Sequence, residues 1–158
     1  MSTGQICSAT SRLLVHDSIY TTFLERLAKR VGHIKIGNPL ESNCRLGPLV
    51  SKSQYTKVLG YIQRALESNY TLLCGGKRQP DLPKGYFIEP TVFVDVPFDS
   101  ELWNSEIFGP VLAVNKFATE SEAIQIANDT GMLGFLLFFV TYGSRIKRTF
   151  PPIRLWTC

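Results

Sequence analysis

The chain has 158 residues, 44% of them hydrophobic and 19% charged, which supplies enough apolar material for about one domain with a packed core and argues against disorder. Its net charge of +4 comes from one end, because Arg145, Lys147, Arg148 and Arg154 supply the whole excess and no acidic residue follows Asp129. No RNA- or DNA-binding motif accompanies that basic end, so nucleic acid is not an expected partner, and the longest apolar stretch, Met132–Val140, is about half the length that spans a bilayer, so no membrane is expected either.

Arg12–Val15 reads as a short strand. Asp17 or Ser18 is placed to cap a helix running to about Val31, with Ile19, Phe23, Leu27 and Val31 on one face. Gly32 and Gly37-Asn38-Pro39 end it, and Leu40–Val50 is loop punctuated by Gly47-Pro48. A second helix is predicted from about Ser53 to Ser68, with Tyr55, Val58, Leu59, Ile62 and Leu66 as its apolar stripe. Thr71–Cys74 is a short strand closed by Gly75-Gly76, which suits a turn better than a phosphate-cradling loop. Lys77–Lys84 is polar loop. Tyr86–Val96 contains a strand in which Val92, Val94 and Val96 alternate, and Gly109–Phe117 contains another. Thr119-x-x-Glu122 spells a capping box opening a third helix to about Asp129. Alternating strands and helices imply an α/β fold with a largely parallel sheet flanked by helices.

The four cysteines stand at 7, 44, 74 and 158, with no CxxC pair of the kind that marks a zinc or redox site. No basic stretch followed by an apolar run opens the chain, and free thiols in a reducing compartment are the simplest reading. No metal site is expected. Cys7 follows Gly4-Gln5-Ile6, and a small residue at such a place lets backbone approach closely. A helix starting just after Cys7 would favour its thiolate, which attacks an aldehyde carbon to give a tetrahedral oxyanion. The Cys7 N–H can donate to that oxyanion. On composition alone the plainer reading, a small buried apolar residue, competes with this one. His16 and His33 flank the first helix and read as structural, Cys44 and Cys74 as bystanders, and Tyr55 and Tyr61 as ordinary helix residues.

Gly4-Gln5-Ile6-Cys7-Ser8-Ala9-Thr10-Ser11-Arg12 resembles the catalytic-cysteine signature of the aldehyde dehydrogenase superfamily, and its spelling is similar to that of the plant betaine aldehyde (aminoaldehyde) dehydrogenases. Further family-like segments follow in the family's order: Arg45-Leu46-Gly47-Pro48, Gly85-Tyr86-Phe87-Ile88-Glu89-Pro90-Thr91, Glu106-Ile107-Phe108-Gly109-Pro110-Val111 and Ala127-Asn128-Asp129-Thr130. The resemblance implies the front part of an aldehyde dehydrogenase catalytic domain over residues 1–130. It implies Cys7 as nucleophile, Glu106 as the holder of the nicotinamide-side ribose of NAD (or NADP), and Phe108 as a contact of the nicotinamide. A carboxylate accepts both hydrogen bonds of a ribose diol, and a ring edge walls a flat heterocycle. The substrate so implied is a small aldehyde, betaine aldehyde or an aminoaldehyde, oxidised to the acid through a thiohemiacetal and a thioester. The resemblance also implies homo-oligomers and a cytosolic, plastid or peroxisomal home.

In that family the water-activating glutamate, the oxyanion-holding asparagine and the nucleotide-binding domain all precede the cysteine. Met1-Ser2-Thr3 therefore reads as a start within a longer reading frame, and the chain alone is expected to be inactive. After Thr130 the family-like spelling stops. Residues 131–158 read as an aberrant basic tail produced by a frameshift, a retained intron or a gene-model error, with the family's oligomerisation strand lost. The alternative is a non-catalytic truncated subunit that associates with full-length aldehyde dehydrogenase.

Overall fold

The computed structural model describes residues 2–82 and 84–129, together with the backbone of 135–142 and 145–147. The expected boundary after Thr130 and most of the basic tail, including Cys158, lie outside the described residues. The described elements run, in chain order, β1 (Thr10–His16), a 3-10 turn (Asp17–Ile19), α1 (Tyr20–Gly32), α2 (Lys52–Glu67), β2 (Thr71–Cys74), β3 (Thr91–Val94), α3 (Glu101–Asn104), β4 (Val111–Phe117), α4 (Glu120–Asn128), β5 (Phe135–Tyr142) and β6 (Arg145–Lys147). The strands form one sheet in the order β2-β3-β4-β1-β5-β6. The pairs β3–β4, β4–β1 and β1–β5 are parallel, and the outer pairs β2–β3 and β5–β6 are antiparallel. The sheet is thus mostly parallel, as the alternation of elements implies.

Successive side chains on the central strands serve two cores. Leu14, Phe93, Ala113 and Phe117 pack with α2, α3 and α4 on one face. Leu13, Val15, Val92, Val94 and Val114 pack with α1 on the other. Strands covered on both faces read as continuous apolar runs, which is why Leu13-Leu14-Val15 and Val92-Phe93-Val94 carry no polar residue. Arg12, Thr91 and Asn115 are the buried polar residues on these strands, and Asn115 Nδ2 donates to the Val96 carbonyl at 2.6 Å. The expected alternation Val92, Val94, Val96 fails at its last member. The strand stops at Val94, Asp95 takes a left-handed φ of 51°, and Val96 turns into the opposite core. Tyr20 Oη donates to Asp95 Oδ1 at 3.1 Å, tying the start of α1 to that turn. Burial, and then the neighbouring Asp95 charge, push the Tyr20 phenol up.

Helix starts differ from expectation in one place. Asp17 and Ser18 do not cap α1. The Ser18 N–H donates to His16 Nδ1 at 3.3 Å, a 3-10 turn intervenes, and α1 begins at Tyr20 with no side-chain cap. His16 also meets the Phe117 ring edge-on at 5.4 Å, so its role in the fold is structural. Ser51 Oγ caps α2 by accepting from the Gln54 N–H at 3.2 Å. The one-turn α3 was not foreseen. Ser100 Oγ accepts from the Trp103 N–H at 3.1 Å, Trp103 is 1% exposed, and the exposed Arg64 guanidinium grips Glu101 through both carboxylate oxygens at 2.8 and 3.0 Å. Gly75 and Gly76 follow β2 with left-handed φ values of 78° and 88°. A Cβ on Gly75 would lie 2.2 Å from the Pro90 carbonyl oxygen, and the Gly76 N–H donates to Thr91 Oγ1 at 2.9 Å.

The capping box of α4 forms with a shift. Thr119 Oγ1 accepts from the Glu122 N–H at 3.2 Å, while Glu122 Oε2 reaches back to the Ala118 N–H at 2.8 Å rather than to the Thr119 amide. Thr119→Ala leaves the Glu122 N–H to water and is expected to lower stability by about 1 kcal/mol in urea denaturation. A loss indistinguishable from zero would show that the cap contributes nothing.

Candidate functional site

Cys7 stands on a turn, Ile6 to Ala9, closed by an Ala9 N–H to Ile6 carbonyl bond of 2.8 Å. No helix follows it. The chain enters β1 at Thr10, as the strand reading of Arg12–Val15 implies, so no helix dipole acts on the thiolate. The side chain is exposed, as are Ile6 and Ser8. Among the described residues the Cys7 N–H donates to no backbone acceptor. The other two cysteine thiols among the described residues are half-buried: Cys44 donates to the Gly37 carbonyl at 3.3 Å, and burial pushes the Cys74 thiol up.

A second turn precedes Cys7, closed by the Gln5 N–H on the Ser2 carbonyl at 2.9 Å. Thr3 and Gly4 take left-handed φ values of 54° and 73° there. Thr3 is 3% exposed and its hydroxyl donates to the Gly47 carbonyl at 3.2 Å. Gln5 Oε1 accepts from the Val50 N–H at 3.0 Å. The nucleophile segment is therefore stitched at two points to the loop that carries Arg45-Leu46-Gly47-Pro48. Gly4 lies so close to Gly109 that an added Cβ would sit 2.1 Å from the Gly109 carbonyl oxygen. Only glycine fits both that backbone angle and that approach.

Gly109 belongs to the turn that bears Glu106 and Phe108. Glu106 is exposed, Ile107 is buried and Phe108 is half-buried. Phe108 holds a left-handed φ of 59°, an uncommon conformation for a bulky residue and one that clusters at functional sites. Side chains of α2 hold three successive carbonyls of this turn: Lys57 Nζ donates to Glu106 O at 3.2 Å, and Gln54 Nε2 donates to Ile107 O at 3.0 Å and Phe108 O at 2.8 Å. A Cβ on Gly109 would meet Val58 Cγ2 at 2.6 Å. Beyond the turn, the Thr91 N–H donates to the Pro110 carbonyl at 2.8 Å and the Leu49 N–H to the Tyr86 carbonyl at 2.9 Å, which brings in the Gly85–Thr91 segment.

Cys7, Glu106 and Phe108 thus stand just before β1 and β4, which are adjacent and parallel with Arg12 opposite Ala113. The site lies at the amino ends of these strands. Open α/β sheets usually bind ligands at the carboxyl ends, the edge opposite these three residues. A cavity of about 300 Å³ lined by Phe98, Trp103, Glu122, Gln125, Ile126 and Asp129 opens between α3 and α4 and includes none of these three residues. Thr3 and Gln54 are the residues that sequence reasoning missed, since their bonds span 44 to 54 positions. Among the described residues no group of three or more His, Cys, Asp or Glu is placed to hold a metal ion, and no helix is long and apolar enough to cross a membrane.

The profile of the aldehyde dehydrogenase family matches residues 1–134. The chain belongs to the aldehyde dehydrogenase family. It is 57% identical over 127 residues to the chloroplastic betaine aldehyde dehydrogenase of Amaranthus hypochondriacus, covering 80% of this chain and 25% of that protein. It is 56% identical over 127 residues, with the same coverage, to the peroxisomal aminoaldehyde dehydrogenase 1 of Pisum sativum. Among solved structures it is similar to the betaine aldehyde dehydrogenase of Staphylococcus aureus in complex with NAD+, at a TM-score of 0.78 and 41% identity, covering 82% of this chain and 26% of that one. The aldehyde dehydrogenase of Bacillus cereus in its NAD+ complex gives 0.77 and 43%, covering 81% and 26%. The chain spans about a quarter of the length of these aldehyde dehydrogenases.

Exposure and thiolate fraction together set thiol reactivity. A limiting alkylator at neutral pH is expected to label Cys7 ahead of Cys44 and Cys74, as read by peptide mass spectrometry. Labelling of Cys74 rises as the pH is made alkaline, because a thiol pushed up by burial forms its thiolate only there. Cys74 reacting first at neutral pH would contradict the described burial.

Proposed function

We propose that residues 1–130 form the front part of the catalytic domain of an NAD-dependent aldehyde dehydrogenase, with Cys7 as nucleophile and Glu106 and Phe108 as contacts of the cofactor. The observation that carries this reading is the Gly4–Gly109 contact, which sets the Cys7 segment against the Glu106–Phe108 turn. The residues fit the nicotinamide end of NAD. An exposed carboxylate suits the ribose diol, and a half-buried ring two residues on suits the flat base. When bound, the nicotinamide takes up the hydride that the sulfur-bound carbon releases.

The chain's own residues do the rest of the first half-reaction. The Cys7 thiolate attacks the aldehyde carbon, a C–S bond forms, and the carbonyl π electrons move to oxygen. The exposed Cys7 N–H is available to that oxyanion. Its collapse restores the carbonyl as a thioester, and water then cleaves the C–S bond to give the acid and return the thiol. By family resemblance, the glutamate that activates this water stands before the nucleophile in the chain. The substrate class we assign is an amino- or trimethylammonio-aldehyde. It rests on the spelling around Cys7 and on relatives named for betaine aldehyde and aminoaldehydes.

Adding an aminoaldehyde labelled with ¹³C at the carbonyl to the purified chain is expected to give a protein-bound thiohemiacetal resonance that Cys7→Ala abolishes. No bound resonance, or one that survives in Cys7→Ala, would overturn Cys7 as nucleophile.

A further inference from the structure

Ser51-x-x-Gln54 spells a capping box at the start of α2, and in that motif the side chain three residues into the helix turns back to the cap residue's own N–H. Gln54 does not. Its backbone N–H is taken by Ser51 Oγ at 3.2 Å, while its side-chain amide crosses to the Ile107 carbonyl at 3.0 Å and the Phe108 carbonyl at 2.8 Å. A primary amide carries two N–H donors, one for each of these carbonyls. Two successive carbonyls converge on one amide because Phe108 is left-handed, with φ 59°, and a phenylalanine rests there only when its surroundings over-determine it. Val58, one turn further along α2, closes against Gly109 from the same side.

We propose that Gln54 is a positioning residue: its amide fixes the Phe108 backbone and so aims the Phe108 ring and the Glu106 carboxylate toward the cofactor. This rests on the reading of Glu106 and Phe108 given above. Gly109, the next residue, bears on Gly4, so the same grip extends to the segment that presents Cys7. Lys57 adds one donor to the Glu106 carbonyl at 3.2 Å, but it is an exposed flexible cation and does not touch the left-handed residue.

The test is hydrogen exchange on the full 158-residue chain. The local reporters are the Val111 N–H, bonded to Gly109 O, and the Thr91 N–H, bonded to Pro110 O. The amides of β1 report global stability. Gln54→Met keeps the side-chain length and removes both donors. It is expected to lower protection at Val111 and Thr91 by about twentyfold, roughly four- to fivefold for each of the two hydrogen bonds lost, with β1 unchanged. Gln54→Glu should show the same loss near neutral pH and regain protection relative to wild type as the pH falls through the carboxylate range, because the neutral acid recovers one O–H donor. Unchanged protection in Gln54→Met, an equal loss throughout β1, or a Gln54→Glu deficit independent of pH would each overturn the proposal. Titration with nicotinamide mononucleotide, followed at the Phe108 ring resonances, reports separately on the cofactor reading. No shift in the wild-type chain would sink that reading while the exchange result still decides the role of Gln54.

Discussion

One close approach organises the site. Gly4 and Gly109 meet backbone to backbone, at a separation that leaves no room for a Cβ. Gly4 ends a left-handed turn begun at Thr3, and Gly109 follows the left-handed Phe108. Left-handed backbone before Cys7 and left-handed backbone beside Glu106 therefore abut, and neither turn can shift without the other. Each is also tied away from the contact, the first to the Gly47 and Val50 loop, the second to α2. Four of the five family-like segments are thus linked to one another, all but Ala127–Thr130, and packing as well as chemistry limits what they can spell.

The sheet supplies the frame. Parallel β1 and β4 begin side by side, so the loops feeding them emerge side by side. Both strands are buried on both faces, with Leu14, Val15 and Val114 fully buried. A packed interior of this kind resists small displacements, and it fixes the point at which each loop leaves the sheet. The reactive residues themselves stay exposed: Cys7 and Glu106 lie on the surface of a site whose supports are inside. That division suits the roles proposed for Cys7 toward a diffusing aldehyde and for Glu106 toward a ribose.

The sequence disclosed the local part of this and little of the rest. Thr71–Cys74 was legible because glycines follow an apolar run, and α4 because Thr119 and Glu122 mark its start. Val96 was misread because strand periodicity carries no sign of the left-handed Asp95 that ends β3. The one-turn α3 is too short to show a period, and its only local signal is Ser100 before a tryptophan. Arg12–Val15 was legible as a strand because its apolar run is buried in the sheet, and that leaves no room for a helix directly after Cys7. Cys7 was a candidate on its chemistry alone, with a buried apolar cysteine as the competing reading, and it took family spelling to single it out; Glu106 and Phe108 were named from family spelling only. Gln54 and Thr3 were invisible because their partners lie 44 or more positions away, a separation at which local sequence specifies nothing.

The measurement closest to the centre of this account is a nuclear Overhauser experiment on the isotope-labelled 158-residue chain, read between the α-protons of Gly4 and Gly109. A strong cross-peak is predicted, because the two backbones touch and the Cys7 and Phe108 turns then form one unit. If Gly4 and Gly109 show no cross-peak while those between β1 and β4 are present, the sheet is formed without joining the turns, and the single site proposed here is contradicted.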